Sequence, residues 1–224
     1  RRRAHELAGS ARYSCPALNG LDLKLERYLD FDGGCFVEAG ANDGYTQSNT
    51  YYFEKLRGWR GLLIEPLPEL CERCRAERPA ARVIQAALVG PEFGAPEIEV
   101  QFAGLMSVSN QALGDVEARR QHVEIGLRVQ KLAQTYTVRT PARTLSDILA
   151  AEAESREVDL LSLDVEGAEV EALTGLDLAR HAPRFICVEV RQASVVTALL
   201  ASRYECVTVL HDSGTHQDLL YRRK

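Results

Sequence analysis

Residues 35–66 read CFVEAGANDGYTQSNTYYFEKLRGWRGLLIEP, and the order of elements within them decides the fold. CFVEAG at 35–40 is a short apolar run ending in glycine, followed by the turn residues Asn42, Asp43 and Gly44, which reads as a buried strand and a tight turn. From Ser48 the stretch SNTYYFEKLRG is helical in character: Ser48 or Asn49 supplies an N-cap, Phe53 and Leu56 share a face, and Gly58 ends it. GLLIEP at 61–66 is a second apolar run, closed by Pro66. Strand, turn, helix and strand in this order need a crossover connection, so the two strands run parallel.

Outward from this unit the rhythm continues. LPELCERCRAER is the next helix and ARVIQAALV at 81–89 the third strand. VDLLSLDVEG at 158–167 and RFICVEVR at 184–191 are the fourth and fifth, with RTLSDILAAEAES and EGAEVEALTGLDLARH as the helices around them. YECVTVLH at 204–211 and QDLLYRR at 217–223, separated by Asp212, Ser213 and Gly214, read as a closing antiparallel hairpin. Residues 90–141 break the pattern with two alternating segments, 97–103 and 135–140, around a charged helix; we expect an insertion over the active site. The expectation is one α/β domain over residues 1–224 with a mostly parallel sheet, helices on both faces, and an N-terminal helical extension at 1–30. The chain of 224 residues with 46% hydrophobic content is long enough to bury such a core.

A net charge of −5 leaves no basic surplus for phosphates, so we expect a small or neutral substrate and no nucleic acid. No run approaches the ~20 apolar residues of a membrane helix. Cys35 and Cys187 lie in buried-strand runs, which points to reduced thiols and a cytoplasmic setting for these residues. Cys71 and Cys74 form one CxxC with no second ligand pair near it, so no metal site is expected there or elsewhere.

In doubly wound sheets ligands bind beyond the carboxyl ends of the strands. Glu38, Gly40, Asn42, Asp43 and Gly44 occupy that place after the first strand, with the glycines letting backbone approach a ligand. Glu65 ends the second strand, about 20 residues past the turn, where an acid commonly holds ribose hydroxyls. A nicotinamide dinucleotide would use the same acid, but its pyrophosphate favours G-x-G-x-x-G. Here Asn42 and Tyr45 replace the later glycines, and Glu38 and Asp43 carry negative charge where phosphates would lie. That sign suits a cation such as S-adenosylmethionine, with its sulfonium and ammonium. Asp164, Glu166 and Glu169 crowd the end of the fourth strand; a first-turn helix role explains Glu169 and explains Asp164 less well.

FVEAGANDGYTQSNTYYFEKLRGWRGLLIEPLPE at 36–69, ARTLSDIL at 142–149 and LLSLDVEGAEVEAL at 160–173 resemble the FkbM-type methyltransferases. The resemblance implies a Rossmann-like class I methyltransferase domain with a mostly parallel seven-stranded sheet. It also implies S-adenosylmethionine as cofactor and a hydroxyl on a sugar, glycan or natural product as acceptor. Carried over, it places Glu38, Gly40, Asn42, Asp43, Gly44, Ser48, Asn49, Glu65 and Pro66 at the donor, and Asp164 with Glu166 in the family's acidic signature. Asp164, Glu166 and Glu189 are the candidate proton acceptors, and the five histidines rank below them, being more often surface residues. The match is loose within 104–134 and beyond Arg191. A nucleotide-binding oxidoreductase and a noncatalytic donor-binding domain are the rival readings.

Overall fold

The computed structural model describes residues 1–152 and 157–224. Two short helices, α1 (Arg2–Leu7) and α2 (Leu21–Glu26), precede β1 (Cys35–Ala39), α3 (Tyr51–Arg57), β2 (Arg60–Glu65), α4 (Pro68–Glu77) and β3 (Arg82–Gln85). Then come β4 (Ala87–Leu88), β5 (Glu97–Gln101), β6 (Val108–Ser109), α5 (Val116–Gln130), β7 (Thr137–Arg143) and α6 (Leu145–Glu152). The chain closes with β8 (Leu160–Leu163), α7 (Glu169–Thr174), β9 (Phe185–Val190), α8 (Ala193–Leu200), β10 (Tyr204–Asp212) and β11 (Gln217–Arg223).

The main sheet has seven strands in the order β10-β11-β9-β8-β1-β2-β3. β1 is parallel to β2 and β8, β2 to β3, and β8 to β9; β11 alone runs antiparallel to both its neighbours, β9 and β10. The alternation along β1 explains the layering. Val37 and Ala39 face one side, packing with Leu62, Ile64, Leu161 and residues of α6, α7 and α8. Phe36 faces the other, with Leu63, Leu160 and residues of α2, α3 and α4. Both faces are therefore covered, as parallel strands require. Strand order reverses at β1, so the crevice opens beyond the carboxyl ends of β1 and β8.

Three segments depart from the sequence reading. The apolar run 81–89 is two strands: Ala86 N–H donates to the Glu65 carbonyl at 3.2 Å, and the chain then leaves to pair Ala87 with Ala142 in a second sheet, β4-β7-β5-β6. Val83 and Ile84 of the first half pack partly buried against the main core and Ala87 to Val89 of the second are buried, so apolar side chains run through both and do not mark the change of partner. The fourth strand is shorter than 158–167, because Glu166 (φ 54°) and Gly167 (φ 95°) turn the chain sharply. The N-cap of α3 is Thr50, with Ser48 Oγ accepting from Tyr51 N–H at 3.1 Å. The last residues of the helix expected over 143–155 lie outside the described residues. No helix among the described residues is long and apolar enough to cross a membrane.

Candidate functional site

The turn after β1 is built against β2 and β8. Gly40 has φ +82°, and a Cβ there would lie 1.8 Å from the Asp164 carbonyl oxygen, so only glycine lets the turn approach the end of β8. Asn42, at φ 51°, donates its N–H to Glu65 Oε2 at 2.9 Å, while Leu67 N–H donates to Oε1 at 3.0 Å. Glu65 is 4% exposed, and burial pushes its carboxyl up to about 7, against the lowering effect of those two bonds. By count each oxygen keeps one further lone pair, and Glu65 lines the cleft.

The other acids of the turn serve the fold. Glu38 is buried beneath α3: Oε2 accepts from Ser48 Oγ at 2.8 Å and Thr50 Oγ1 at 2.6 Å, and Oε1 from Asn49 N–H at 2.7 Å. Arg78, fully buried, stands 3.7 Å from it. Asp43 closes its own turn, accepting from Tyr45 N–H, Thr46 N–H and Thr46 Oγ1 at 2.7–2.9 Å. Gly44 packs on Cys74 and Arg78. Asn49 donates to Ser162 Oγ at 3.0 Å. Of the donor candidates, Gly40, Asn42, Ser48, Glu65 and Pro66 line the cleft; Glu38, Asp43, Gly44 and Asn49 stand behind them. The charge expected from Glu38 is compensated by Arg78, so it lends the cleft little of the sign read from the sequence.

Asp164 and Glu166 line the opposite wall of the cleft. Asp164 N–H continues the ladder to the Ala39 carbonyl at 3.1 Å, but its Oδ1 is shielded from solvent and has no hydrogen-bond partner among the described residues. Burial first, then the charges of Glu189, Glu166, Glu169 and Asp218, raise its carboxyl well above the ordinary range. Glu169 folds back onto the Val165 and Gly167 N–H groups, the structural role expected of it. Glu189 does not line the cleft; it lies one strand further, 3.6 Å from His216 Nε2.

Several residues at or beside the site were not chosen by sequence, which ranked the histidines below the acids. His122 on α5 is buried rather than at the surface, with Nε2 3.1 Å from Glu166 Oε2 and Nδ1 3.0 Å from Arg191 Nη2. An arginine only donates, so Nδ1 is the acceptor in that contact. Arg191, His216 and Asp218 are brought in by the sheet register, which no local pattern announces. From the 90–141 segment, Leu105, Ser107 and Ser109 complete the cleft wall. Cys71 and Cys74 face inward from α4, donating to the carbonyls of Glu65 at 3.1 Å and Asn42 at 3.0 Å.

The Methyltransferase FkbM domain matches residues 38–199. No curated protein matches the chain. Among solved structures, human methyltransferase 10 domain containing protein is 12% identical, with a TM-score of 0.50 over 91% of this chain and 81% of that one. TrmN from Thermus thermophilus is 11% identical, with a TM-score of 0.50 over 96% of this chain and 53% of that one. A TehB-like SAM-dependent methyltransferase from Corynebacterium glutamicum is 12% identical, with a TM-score of 0.45 over 100% of this chain and 94% of that one. At such identities the likeness concerns the fold, that of Rossmann-like class I methyltransferases.

Proposed function

The chain belongs to the FkbM methyltransferase domain family, and from that premise we propose that it methylates a hydroxyl oxygen of a sugar, glycan or small natural product. The coarser activity is S-adenosylmethionine-dependent methyl transfer, which sets aside the oxidoreductase alternative. The residues present fit this donor. Glu65 keeps one open lone pair on each oxygen, matching two adjacent ribose hydroxyls. Gly40 lines the cleft and lets the turn pack on the end of β8, and the Oδ1 of Asp164, unpartnered among the described residues, lacks a donor that an ammonium or a hydroxyl would supply.

When bound, the donor supplies an electrophilic methyl carbon, so the protein's work is placement and proton removal. In this reading Glu65, Asn42 and Pro66 hold the adenosine, Gly40 and Ser48 border the methionine end, and Leu105 and Ser107 shield the cleft from water. Glu38, Asp43, Gly44 and Asn49 hold the turn in shape without touching the donor. Asp164 aligns the acceptor hydroxyl and receives its proton, with Glu166 beside it in the same role more weakly. Glu189 acts through its charge, helping to keep the Asp164 carboxyl basic.

The observation that carries the oxygen acceptor is Asp164 itself: a shielded carboxylate oxygen with no partner, raised toward the pH where it can take a proton from a hydroxyl. Net charge of −5 supports an acceptor that is not a nucleic acid, and the buried thiols Cys71, Cys74 and Cys187 support a cytoplasmic setting. The test is mass spectrometry of hydroxylated glycans and natural products after incubation with methyl-labelled donor. Label on oxygen is expected. Label on nucleic acid or on nitrogen would overturn the acceptor class, and donor binding with no transfer to any acceptor would leave a noncatalytic domain.

A further inference from the structure

Three side chains from the far half of the sheet converge outside the donor cleft. Glu189, next to last in β9, pairs directly with Asp218, second in β11, so both side chains lie on one face of the sheet. His216, in the turn before β11, brings Nε2 to 3.6 Å from Glu189 Oε2. One ligand atom from each of the three lies within 4.8 Å of the other two. We propose that Glu189, His216 and Asp218 form a binding site for a divalent first-row transition-metal ion.

The donor set points to that class of ion. One imidazole with two carboxylates suits zinc, manganese or iron, whereas magnesium prefers oxygen ligands throughout. Bonds of about 2.1 Å at tetrahedral angles set ligand atoms about 3.4 Å apart. The imidazole and Glu189 nearly have that spacing, at 3.6 Å.

Asp218 supplies the independent reason. It is 5% exposed, and no described residue donates a hydrogen bond to its carboxylate, whose oxygens are not sealed from solvent and so stay reachable by an ion. A buried carboxylate without donors is costly unless a cation faces it. Lys24, the nearest lysine acting on it, donates its Nζ to the Leu210 carbonyl at 2.8 Å instead. His211, opposite Asp218 in the register, adds a second imidazole near its carboxylate. The bland account of the cluster is that one carboxyl simply stays protonated, and a titration with metal separates the two.

The experiment uses the full chain, stripped with chelator and desalted, then titrated with Mn²⁺ alone and followed by electron paramagnetic resonance, with Zn²⁺ in parallel calorimetry. One ion per chain is expected, not displaced by excess Mg²⁺. His216→Ala and Asp218→Asn should each weaken binding by at least about tenfold, since even outer partners of metal ligands cost 10–100-fold. A Cys71→Ser/Cys74→Ser variant should bind as the parent does. Absence of binding would overturn the site, as would binding unchanged in both ligand variants or lost in the serine variant. Circular dichroism checks the fold, and because the His216 side chain is partly exposed, His216→Ala decides if Asp218→Asn fails to fold. S-adenosylhomocysteine binding, measured without metal, is the separate readout: its loss counts against the donor site and its retention leaves the metal result to stand or fall alone.

Discussion

Glu65→Gln probes the donor site where the geometry is most completely determined. Oε2 holds the Asn42 N–H and Oε1 the Leu67 N–H, leaving one lone pair on each for one ribose hydroxyl. Glutamine has a single oxygen, so its NH₂ must face either a backbone N–H or a hydroxyl that it cannot satisfy as the carboxylate does. Hydrogen bonds to a charged group contribute about 1.5–3 kcal/mol each, and glutamine weakens two of them. A loss near the lower bound, about 3 kcal/mol or roughly a hundredfold in affinity, is expected at pH 8. The pH dependence has a definite sign. Burial holds Glu65 at about 7 in the free protein, and both oxygens accept from ribose only after the proton leaves. Affinity is therefore full above pH 7 and falls as pH drops through it. At pH 6 about one molecule in eleven has the ionised form, so binding should be about tenfold weaker than at pH 8. Glutamine does not titrate, and its curve should be flat. The assay is calorimetry with S-adenosylhomocysteine between pH 6 and pH 8. Parent affinity that ignores pH, or a glutamine variant that binds as tightly as the parent, would refute the assignment of Glu65 to the ribose.

Asp164→Asn should slow single-turnover methyl transfer by at least about 100-fold while leaving donor affinity nearly unchanged, and the parent rate should rise with pH as its raised carboxyl ionises. Transfer at the parent rate would remove Asp164 from the chemistry; loss of rate and donor affinity together would make it a donor ligand. Glu38→Gln should destabilise the fold by about 3–5 kcal/mol in urea titration, because it breaks a buried acid shared by α3 and Arg78. Donor affinity lost with stability intact would instead put Glu38 in contact with the donor. Cys71 and Cys74 should stay reduced and free of zinc: their thiols donate to carbonyls, and burial pushes Cys71 up to about 12, far from the thiolate zinc needs. Stoichiometric zinc in elemental analysis, lost in the double serine variant, would contradict this.

The parallel sheet was legible because β1, β2, β8 and β9 are each short apolar runs ending in turn residues, and the closing hairpin because Asp212, Ser213 and Gly214 interrupt two alternating segments. What local pattern could not convey is pairing. Residues 81–89 read as one largely apolar run, with Arg82 and Gln85 the exceptions, although their halves belong to different sheets. His216 and Asp218 looked like hairpin residues and Glu189 like a strand end, and only the register of β9 with β11 joins them. The same limit governs the acids. Glu38 and Glu65 are alike in sequence, each an acid near the end of a buried strand, yet Glu38 meets Ser48, Asn49, Thr50 and Arg78, while Glu65 meets two N–H groups and open space. Asp43 and Glu169 are likewise consumed by their own loops. Counting carboxylates along the chain therefore overstates the negative charge offered to a ligand. The useful criterion is which carboxylate oxygens the fold leaves without a donor, and by that criterion the acids at the carboxyl edge divide into those that hold the turn and those, Glu65, Asp164 and Asp218, with capacity left to bind something else.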